Sequence, residues 1–395
     1  MGITEWVAVL VIFAVVYCLI KRYETRLVLI GSGLLLCLIS WNLVGGLNAF
    51  AKSMTNASLV MAICGSMGFA FVAKYTEADR SLVHYLSAPI RGLGIFLVPV
   101  CTAITFFVNI AIPSAAGCAA AVGSTLIPVM LRAGIKPAGA AAAVLAGTIG
   151  SYLSPGTSHN PYVANMAHID VMEFIGFHAP YSIMIGAFGV IGTLIMCILL
   201  GDGKGDKNAK IDESKAQKTD DFTPNPIKAL VPLVPITILV VGNLWCPFIK
   251  MGVAQAMVLG AVIALAVARP NPETFTKEFF NGCGKGYADV MGIIIAAGVF
   301  AAGLREAGLI DVFVQSLKES NEIARWGGSI GPFIMGVITG SGDAATLAFN
   351  ETVTPHAEDF GMSIQGLGGL AFLAGAAGRT ASPLAGVTIL VSGIA

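Results

Sequence analysis

The stretch GAAGRTASPLAG, residues 375–386, places one arginine among small residues inside an apolar run of helical length. An arginine at the centre of a membrane helix costs at least about 2.5 kcal/mol, so its position needs a partner or a function. The Ser-Pro pair that follows removes a backbone donor and breaks the helix. Freed backbone groups cannot face lipid, so they line a cavity or bind a polar ligand. The residues around Arg379 therefore predict a broken helix at a functional site.

The composition is that of a membrane protein. Hydrophobic residues make up 56% of the 395 residues and charged residues only 12%, which is far from the balance of soluble globular domains. Several runs reach the roughly 17–25 apolar residues that cross a hydrocarbon core, including 27–47, 57–73, 181–200 and 229–249. These runs predict an all-α polytopic membrane protein.

The charge distribution predicts an orientation and excludes some partners. The formal net charge is zero, so no nucleic-acid partner is expected. Lys21, Arg22 and Arg26 follow the first apolar run, and the polar stretch 201–228 is rich in lysine. Basic loops stay on the cytoplasmic side, which predicts an extracytoplasmic N-terminus and a cytoplasmic linker at 201–228. The eight cysteines are scattered singly, so neither a structural metal nor a cofactor is expected.

An internal repeat divides the chain into residues 1–200 and 229–395. Residues of the first part recur in the second at a separation of 227 or 228 positions. The matched pairs are Ser114 with Ser341, Pro128 with Pro355, Gly134 with Gly361, Gly139 with Gly366, Gly147 with Gly375, Gly150 with Gly378, and Ser154-Pro155 with Ser382-Pro383. The order of the set, with its prolines and its repeated Ser-Pro pair, indicates duplication.

Counting membrane spans predicts that the two copies are inverted. The expected spans are 3–20, 27–49, 57–73 and 176–200 in the first copy, and 229–249, 251–268 and 286–304 in the second. The first three spans of each copy therefore run in opposite directions. Inverted repeats of secondary transporters bind substrate near the bilayer midplane, at broken helices. The second copy lacks a counterpart of 176–200, so the sequence either omits a final span or belongs to a truncated member.

Each copy also contains a predicted re-entrant hairpin and a predicted broken helix. The hairpins are expected at 92–133 and 326–358, with tips at IPSAAG, 112–117, and TGSGDAAT, 339–346. The broken helices are expected at 138–169 and 363–395, with breaks at SPGTSHNP, 154–161, and GRTASPLAG, 378–386. Half-helix N-termini at these tips and breaks carry partial positive charge, which favours anions. The pattern predicts an anion-binding site.

The candidate substrate-binding residues all belong to the tips and breaks. They are Ser114, Ala115, Gly117, Ser154, Thr157, Ser158, His159, Asn160, Ser341, Gly342, Asp343, Arg379, Thr380 and Ser382. The planar guanidinium of Arg379 suits a carboxylate held by two hydrogen bonds. The alternatives for Arg379 are snorkelling to an interface or pairing with Asp343. Asp343 in turn is a candidate for a coupling cation, for a coupling proton, or for an ion pair with Arg379.

The remaining candidates carry hydroxyl, amide or imidazole groups. Ser114 and Ser341 occupy matched tip positions and could contact carboxylate oxygens or a coupling ion, although serine also suits tight turns. His159 and Asn160 could donate to a second carboxylate, or His159 could be a neutral histidine bonded to freed backbone. Threonine and serine at both breaks are candidate ligands of substrate or Na⁺. The abundant glycine and alanine, for instance in 138–150, are expected to pack helices closely.

Four segments carry a resemblance to a known family. They are AAGVFAAGL at 296–304, TGSGDA at 339–344, GRTASPLAGV at 378–387 and PVMLRAGI at 128–135. In these segments and along nearly the whole chain, the sequence resembles the DcuC family of anaerobic C4-dicarboxylate carriers, within the ion-transporter superfamily. Two features depart from the family pattern, namely Asp343 where asparagine is expected and the histidine-containing break at 154–161.

The resemblance implies an elevator-type carrier of succinate, fumarate, malate or aspartate. It implies a scaffold domain that forms a homodimer and a mobile transport domain that contains both hairpins and both broken helices. It also implies symport with Na⁺ or H⁺, exchange or efflux, and it places Ser114, Ser341 and Arg379 on family motifs.

Three other functions were weighed against this one. Within carriers, the main alternative is another small carboxylate, such as an amino acid or a short-chain fatty acid. An intramembrane hydrolase would use Ser154 or Ser158 as nucleophile and His159 as base, but its break has no acidic residue to orient the histidine. A channel is the third alternative, and saturable counterflow would exclude it.

Overall fold

The computed structural model describes residues 2–87, 93–202, 222–310, 312, 321–340, 342–383 and 385–395, and its regular structure there is helical. The helices are α1 (Ile3–Ile20), α2 (Thr25–Ile39), α3 (Leu43–Met54), α4 (Ala57–Tyr75), α5 (Ala78–Ser87), α6 (Leu97–Ala111), α7 (Ala115–Arg132), α8 (Pro137–Gly147), α9 (His159–Met166), α10 (Val171–Leu199), α11 (Pro226–Leu230), α12 (Val234–Leu244), α13 (Val253–Ala268), α14 (Pro272–Gly286), α15 (Gly292–Glu306), α16 (Asn321–Thr339), α17 (Gly342–Thr352), α18 (Ile364–Ala381) and α19 (Gly386–Ile394). Short 3₁₀ segments extend α8 (Thr148–Leu153) and follow α17 (Thr354–Phe360).

Six helical stretches in the described part of the chain are long and apolar enough to cross a membrane. They are Ala57–Tyr75, Gly94–Ala111, Ala115–Arg132, Val171–Leu199, Pro226–Leu244 and Pro272–Glu306. Two of them are the arms of the predicted first hairpin, and each arm is 18 residues long. An 18-residue helix spans about 27 Å, so length alone allows either arm to cross, and the re-entrant course stays a prediction.

The predicted span 27–49 is wrong as a single helix. Helix α2 ends at Ile39, and the backbone of Trp41 turns into the left-handed region at φ +59°. The side chain of Asn42 then caps α3 by accepting the Gly45 N–H at 3.0 Å. Asparagine is a favoured N-cap residue because its side-chain oxygen satisfies an orphan amide of the first turn. Hydropathy extends across this cap without interruption, which is why the sequence predicted one span.

The predicted span 286–304 is part of a much longer helical stretch. Helices α14 and α15 are joined by a π-helical turn, Tyr287–Met291, into the continuous stretch Pro272–Glu306. The Tyr287 hydroxyl donates to the carbonyl of Met54 at 3.1 Å. The predicted span 229–249 likewise differs in its end, because α12 stops at Leu244 before the proline-led turn Pro247–Ile249.

The chain forms two compact units, and neither corresponds to one predicted copy. Unit 1 comprises Met1–Val60, Pro161–Asp170 and Gly286–Ala385. Unit 2 comprises Met61–Asn160, Val171–Lys285 and Gly386–Ala395. Each unit therefore combines helices from both halves of the sequence, because helices pack by complementary faces and not by order along the chain.

Unit 1 is held together by close contacts between glycine-rich faces. A Cβ at Gly33 of α2 would lie 2.5 Å from the carbonyl oxygen of Val299 in α15. A Cβ at Gly303 would lie 2.5 Å from the carbonyl oxygen of Gly33. Any side chain at these positions would separate the two helices, so glycine is required for this backbone-to-backbone packing.

Unit 2 contains the first predicted hairpin, α6 and α7, packed on α8, α10 and α19. Its core is formed by fully buried residues such as Val108, Val122, Ile127 and Val144. Gly150 in the 3₁₀ extension of α8 approaches α6 so closely that a Cβ would lie 2.0 Å from the Phe106 carbonyl oxygen. The small residues of 138–150 therefore pack helices in unit 2, as predicted.

Candidate functional site

The tip of the first hairpin is a helix break followed by a capped N-terminus. Helix α6 ends at Ala111, and Ser114 is the N-cap of α7. The Ser114 Oγ accepts the N–H of Gly117 at 3.1 Å, and both residues are exposed. The N-terminus of an 18-residue helix carries about half a positive charge. The tip of unit 2 thus presents exposed backbone donors with a partial positive charge.

The first broken helix is interrupted where the sequence predicted it. The 3₁₀ extension of α8 ends at Leu153, and α9 begins at His159. The side-chain amide of Asn160 donates to the carbonyls of Tyr152 and Ser154, each at 2.8 Å. Asn160 is fully buried. It therefore satisfies two backbone acceptors that the break frees, and its contact with substrate stays a prediction.

A buried histidine extends this hydrogen-bond network, and the sequence analysis missed it. His178 of α10 is hydrogen-bonded through Nε2 to Asn160 Oδ1 at 3.1 Å and through Nδ1 to Ser182 Oγ at 2.9 Å. All three side chains are buried. An imidazole inside a long apolar helix was a detectable sign of a polar partner, but nothing in the sequence identified Asn160 as that partner.

Asn109 joins the hairpin tip to the break, and it was also missed. Its amide donates to the carbonyl of Ile112 at 2.9 Å, next to the tip. Its oxygen accepts the N–H of Ser151 at 2.7 Å, in the 3₁₀ extension. Asn109 is completely buried. One side chain therefore fixes the distance between the two predicted site elements of unit 2.

Ser66 of α4 is a further candidate that the sequence did not reveal. A Cβ at Gly156 would lie 3.1 Å from Pro113 Cγ and 3.3 Å from Ser66 Oγ, so the break, the tip and α4 meet here. Ser66 is 2% exposed, and its hydroxyl has no hydrogen-bond partner among the described residues. A buried hydroxyl without a protein partner is costly, which makes Ser66 available to a ligand.

The other candidates of the first break are mostly engaged with their own backbone. Thr157 Oγ1 donates to the carbonyl of Ser151 at 2.5 Å. Ser154 Oγ accepts the N–H of Gly156 at 3.3 Å. Ser158 Oγ and His159 Nδ1 lie 3.5 Å apart, and His159 is 3% exposed. These contacts stabilise the shape of the break.

The second hairpin turns at Gly340, which has φ +71°. Ser341, predicted to line its tip, lies outside the described residues. Gly342 starts α17 and is buried, and a Cβ there would lie 2.5 Å from the carbonyl oxygen of Gly375. Asp343, the next residue, is exposed. The hairpin of unit 1 therefore rests directly on the backbone of α18.

Arg379 lies in the last turn of α18, where the helix contacts the first arm of the hairpin. A Cβ at Gly378 would lie 2.1 Å from the carbonyl oxygen of Phe333. A Cβ at Gly336 would lie 2.9 Å from the backbone nitrogen of Arg379. Arg379 is half-buried, and within the described ranges its guanidinium has no ion pair. Backbone packing thus positions a cation that no described carboxylate neutralises.

The hydroxyl groups beside Arg379 are engaged with backbone. Thr380 Oγ1 donates to the carbonyl of Ala376 at 2.9 Å. Ser382 is buried, and its Oγ donates to the carbonyl of Val337 at 2.7 Å, which ties the break to α16. The free chemical function at this break is therefore the guanidinium and not the hydroxyls.

The structure thus distributes the predicted residues over two groups. Residues 114–117 and 154–160 lie in unit 2, and residues 342–343 and 379–382 lie in unit 1. The convergence of the two groups stays a prediction. No cluster of three histidine, cysteine or acidic side chains that could hold a metal ion occurs among the described residues.

The pattern of the DcuC family, described as C4-dicarboxylate anaerobic carrier, matches residues 46–395. An uncharacterized transporter of Haemophilus influenzae is 46% identical over 251 residues, which cover 62% of this chain and 90% of that protein. The anaerobic C4-dicarboxylate transporter DcuC of Escherichia coli K12 is 27% identical over an alignment of 430 positions, which covers 98% of this chain and 90% of that transporter.

The fold is also similar to that of a transporter of known structure. The crystal structure of the YdaH transporter of Alcanivorax borkumensis superposes with a TM-score of 0.58 and 14% sequence identity, over 88% of this chain and 79% of that one. At this identity the likeness concerns the fold alone. Because the family and the relatives are transporters, the hydrolase alternative at Ser154, Ser158 and His159 is rejected. The chain is a multi-pass bacterial inner-membrane transporter of small carboxylates and belongs to the DcuC family.

Proposed function

We propose that this protein is a secondary active transporter of C4-dicarboxylates, namely succinate, fumarate, malate or aspartate. It works by elevator-type alternating access coupled to Na⁺ or H⁺, or by exchange, and it has no resident cofactor. The observation that carries this proposal is the half-buried guanidinium of Arg379 without a described ion-pair partner. Such a cation is costly in an apolar surrounding unless an anion joins it.

Two carboxylates need two elements that bind anions, and the described residues include two candidates. Unit 1 offers Arg379, whose planar fork can hold a carboxylate through two parallel hydrogen bonds. Unit 2 offers the exposed N-terminus of α7 at Ser114. The Ser66 hydroxyl, which has no hydrogen-bond partner in the described part of the chain, lies with Pro113 of the same tip around Gly156. A monocarboxylate would need only one of these elements. This supports a dicarboxylate over the alternative of an amino acid or a short-chain fatty acid.

Matched backbone geometry supports the inverted repeat on which alternating access depends. Ser154 and Ser382 end their helices with nearly equal angles, φ −84° and ψ 127° against φ −81° and ψ 125°. Gly134 and Gly361, which precede the two broken helices, are both left-handed, at φ +84° and +66°. The inversion of the copies and the extracytoplasmic N-terminus are part of the proposal.

The contacts of the two broken helices match as well. A Cβ at Gly150 would lie 2.0 Å from the Phe106 carbonyl oxygen, and one at Gly378 would lie 2.1 Å from that of Phe333. These positions are partners in the sequence repeat, at separations of 228 and 227 residues. The copies differ at the next matched pair, where Arg379 replaces Ser151. This difference supports assigning the charged half of the site to the second copy.

Binding of the anion would also permit the transport domain to move. Domain motion past a hydrophobic surface is opposed by an uncompensated charge, because ions lose hydration in a low dielectric. A carboxylate at Arg379 would neutralise the guanidinium and lower that barrier. We expect a homodimer, as family resemblance implies, with the scaffold at its interface; light scattering of the detergent-solubilised protein measures the oligomeric state.

Uptake of labelled succinate into proteoliposomes tests the proposal. Arg379→Ala removes a charge-assisted contact of about 3 kcal/mol, which corresponds to about a hundredfold loss of affinity. Arg379→Lys keeps the charge but loses the two-point geometry, so it should be intermediate. Full succinate uptake by a correctly inserted Arg379→Ala variant would refute the assignment.

A panel of ligands in a thermal-shift assay tests the substrate class. C3 to C6 mono- and dicarboxylates are each measured with and without sodium. Stabilisation by C4-dicarboxylates above all others is expected, because ligand binding to the native state raises apparent stability. Stabilisation by monocarboxylates alone would favour the alternative class.

A further inference from the structure

Glu351, in the return arm of the second hairpin, forms a hydrogen bond that no part of the substrate site explains. The hydroxyl of Tyr162 in α9 donates to Oε2 of Glu351 in α17. Both residues belong to unit 1, although 189 positions separate them. Tyr162 is 4% exposed and Glu351 is half-buried. The pair therefore places an acidic group partly inside an apolar unit, with one oxygen held in position.

The second carboxylate oxygen, Oε1, lies near Gly298 of α15 and Ser53 of α3. A Cβ at Gly298 of α15 would lie 3.8 Å from Oε1 of Glu351 and 2.4 Å from Oγ of Ser53 in α3. Glycine at 298 therefore lets the Ser53 hydroxyl approach α15 closely, near Oε1 of Glu351. The neighbours of a Cβ at this position are a hydroxyl and a carboxylate, and no cation is among them.

No described cation neutralises Glu351. The charged and titratable side chains described on the elements around α17 and on α17 itself are Lys52, His159, Tyr162, Arg305, Glu306, Asp343, His356, Glu358, Asp359 and Arg379. The ion pairs within the described ranges include none with Glu351, and His356 is paired with Asp359 at 3.6 Å. Lys52 and Arg305 are exposed. Glu351 thus depends on one hydroxyl for its stabilisation.

The two protonation forms of a carboxylate differ in what they need from their surroundings. The ionised form is stabilised by the Tyr162 hydroxyl but loses hydration, and no cation compensates for the loss. The protonated form removes the charge and suits burial. Half-exposure allows water to reach the group. Pumps and transporters use carboxylates that are partly shielded from water as proton relays.

We infer that Glu351, positioned by Tyr162, is the site that binds the coupling proton of this carrier. This inference rests on the proposed function and selects H⁺ among the coupling ions considered there. A proton from water on one side joins Oε1, the oxygen that Tyr162 does not contact, and converts the carboxylate to the neutral acid. After the site opens to the other side, the same O–H bond breaks and the proton returns to water. One charge is thereby removed while the transport domain moves through hydrocarbon.

Two transport modes separate proton coupling from substrate binding in proteoliposomes. Counterflow exchanges labelled for unlabelled succinate across the membrane and requires no net proton movement. Accumulation driven by a pH gradient requires the coupling proton. Glu351→Gln mimics the neutral acid permanently, so we expect it to retain counterflow and to lose pH-driven accumulation together with succinate-dependent proton uptake, which an enclosed pH dye measures. Glu358→Gln, at an exposed carboxylate of the same unit, should behave as the wild type.

Tyr162→Phe supplies a second readout that a purely structural role would not produce. Loss of the hydroxyl removes a hydrogen bond to the ionised form, so the pH midpoint of accumulation should move to a higher pH. Accumulation by Glu351→Gln equal to that of the wild type would overturn the inference, as would loss of its counterflow or an unchanged midpoint in Tyr162→Phe. If the wild type shows no counterflow with any C4-dicarboxylate, the proposed function itself is overturned, and this inference with it.

Discussion

Replacing Gly336 by alanine should damage the contact that positions Arg379, and Gly331 provides a matched control on the same helix. A Cβ at Gly336 would lie 2.5 Å from the Gly375 carbonyl oxygen, whereas nothing lies within 4 Å of a Cβ at Gly331. Ordinary contact begins near 3.4 Å, so α16 and α18 must separate by roughly 0.9 Å in Gly336→Ala. The control carries the same chemical change without the collision.

The expected magnitudes follow from this geometry. Alanine improves helix propensity over glycine by about 1 kcal/mol at either position. Overpacking at Gly336 costs about 1–3 kcal/mol. The free energy of unfolding should therefore be unchanged or lower in Gly336→Ala, and unchanged or higher in Gly331→Ala. Binding groups must be held within about 0.5 Å of their working geometry. A displacement of Arg379 by roughly the separation of the helices should therefore weaken succinate binding, by about tenfold if 1.4 kcal/mol of contact energy is lost.

Thermal unfolding in detergent and succinate uptake in proteoliposomes are measured for both variants. Reconstituted protein is quantified, so that uptake is compared per inserted molecule. The result that contradicts the reasoning is a Gly336→Ala variant with the unfolding temperature and uptake of Gly331→Ala. Equal behaviour would mean that close packing of α16 on α18 does not position the guanidinium.

Three further outcomes are expected. Asn160→Ala leaves the buried carbonyls of Tyr152 and Ser154 without their donor, so the unfolding temperature should fall by an amount equivalent to about 2–5 kcal/mol. Asn109→Ala should reduce succinate uptake by a larger fraction than it reduces the free energy of unfolding, because it disconnects the first hairpin tip from the break. Equal fractional losses of uptake and of unfolding free energy would contradict this. Burial raises the pKa of the Asp79 carboxyl, so the stability that its neutral form contributes is lost as pH rises above about 4. Asp79→Asn should lack this loss in pH-dependent thermal melts, and matching melting curves would refute it.

Much of the fold could be predicted because membrane helices are specified locally. Apolar runs predicted most of the spans, and Ser-Pro pairs predicted helix ends that the structure has at Ser154 and Ser382. Proline acts on its own turn, so its effect does not depend on distant residues. The break at Trp41 and Asn42 was missed because it depends on a side-chain cap. In such a cap the side chain accepts a hydrogen bond from a backbone N–H of the first helical turn, and hydropathy contains no information about this bond.

The sequence predicted several residues of the candidate site, but it did not predict the hydrogen bonds that connect them to other helices. Arg379, Ser114 and the breaks followed from polar residues in apolar surroundings. Asn109, His178 and Ser66 were missed, although each is a polar residue within an apolar helix. Their roles depend on partners in other helices, and one sequence does not identify those partners.

The sequence by itself determined that this chain crosses a membrane, where its helices break, and that an arginine is retained beside one break. These features depend on the transfer cost of each residue and on local backbone chemistry, which are properties of short segments. Only the tertiary structure decided which polar groups satisfy one another, as Asn160 does for the first break and Tyr162 for Glu351. Hydrogen bonds and glycine contacts act over about 3 Å, so they exist only after helices distant in the chain have packed together.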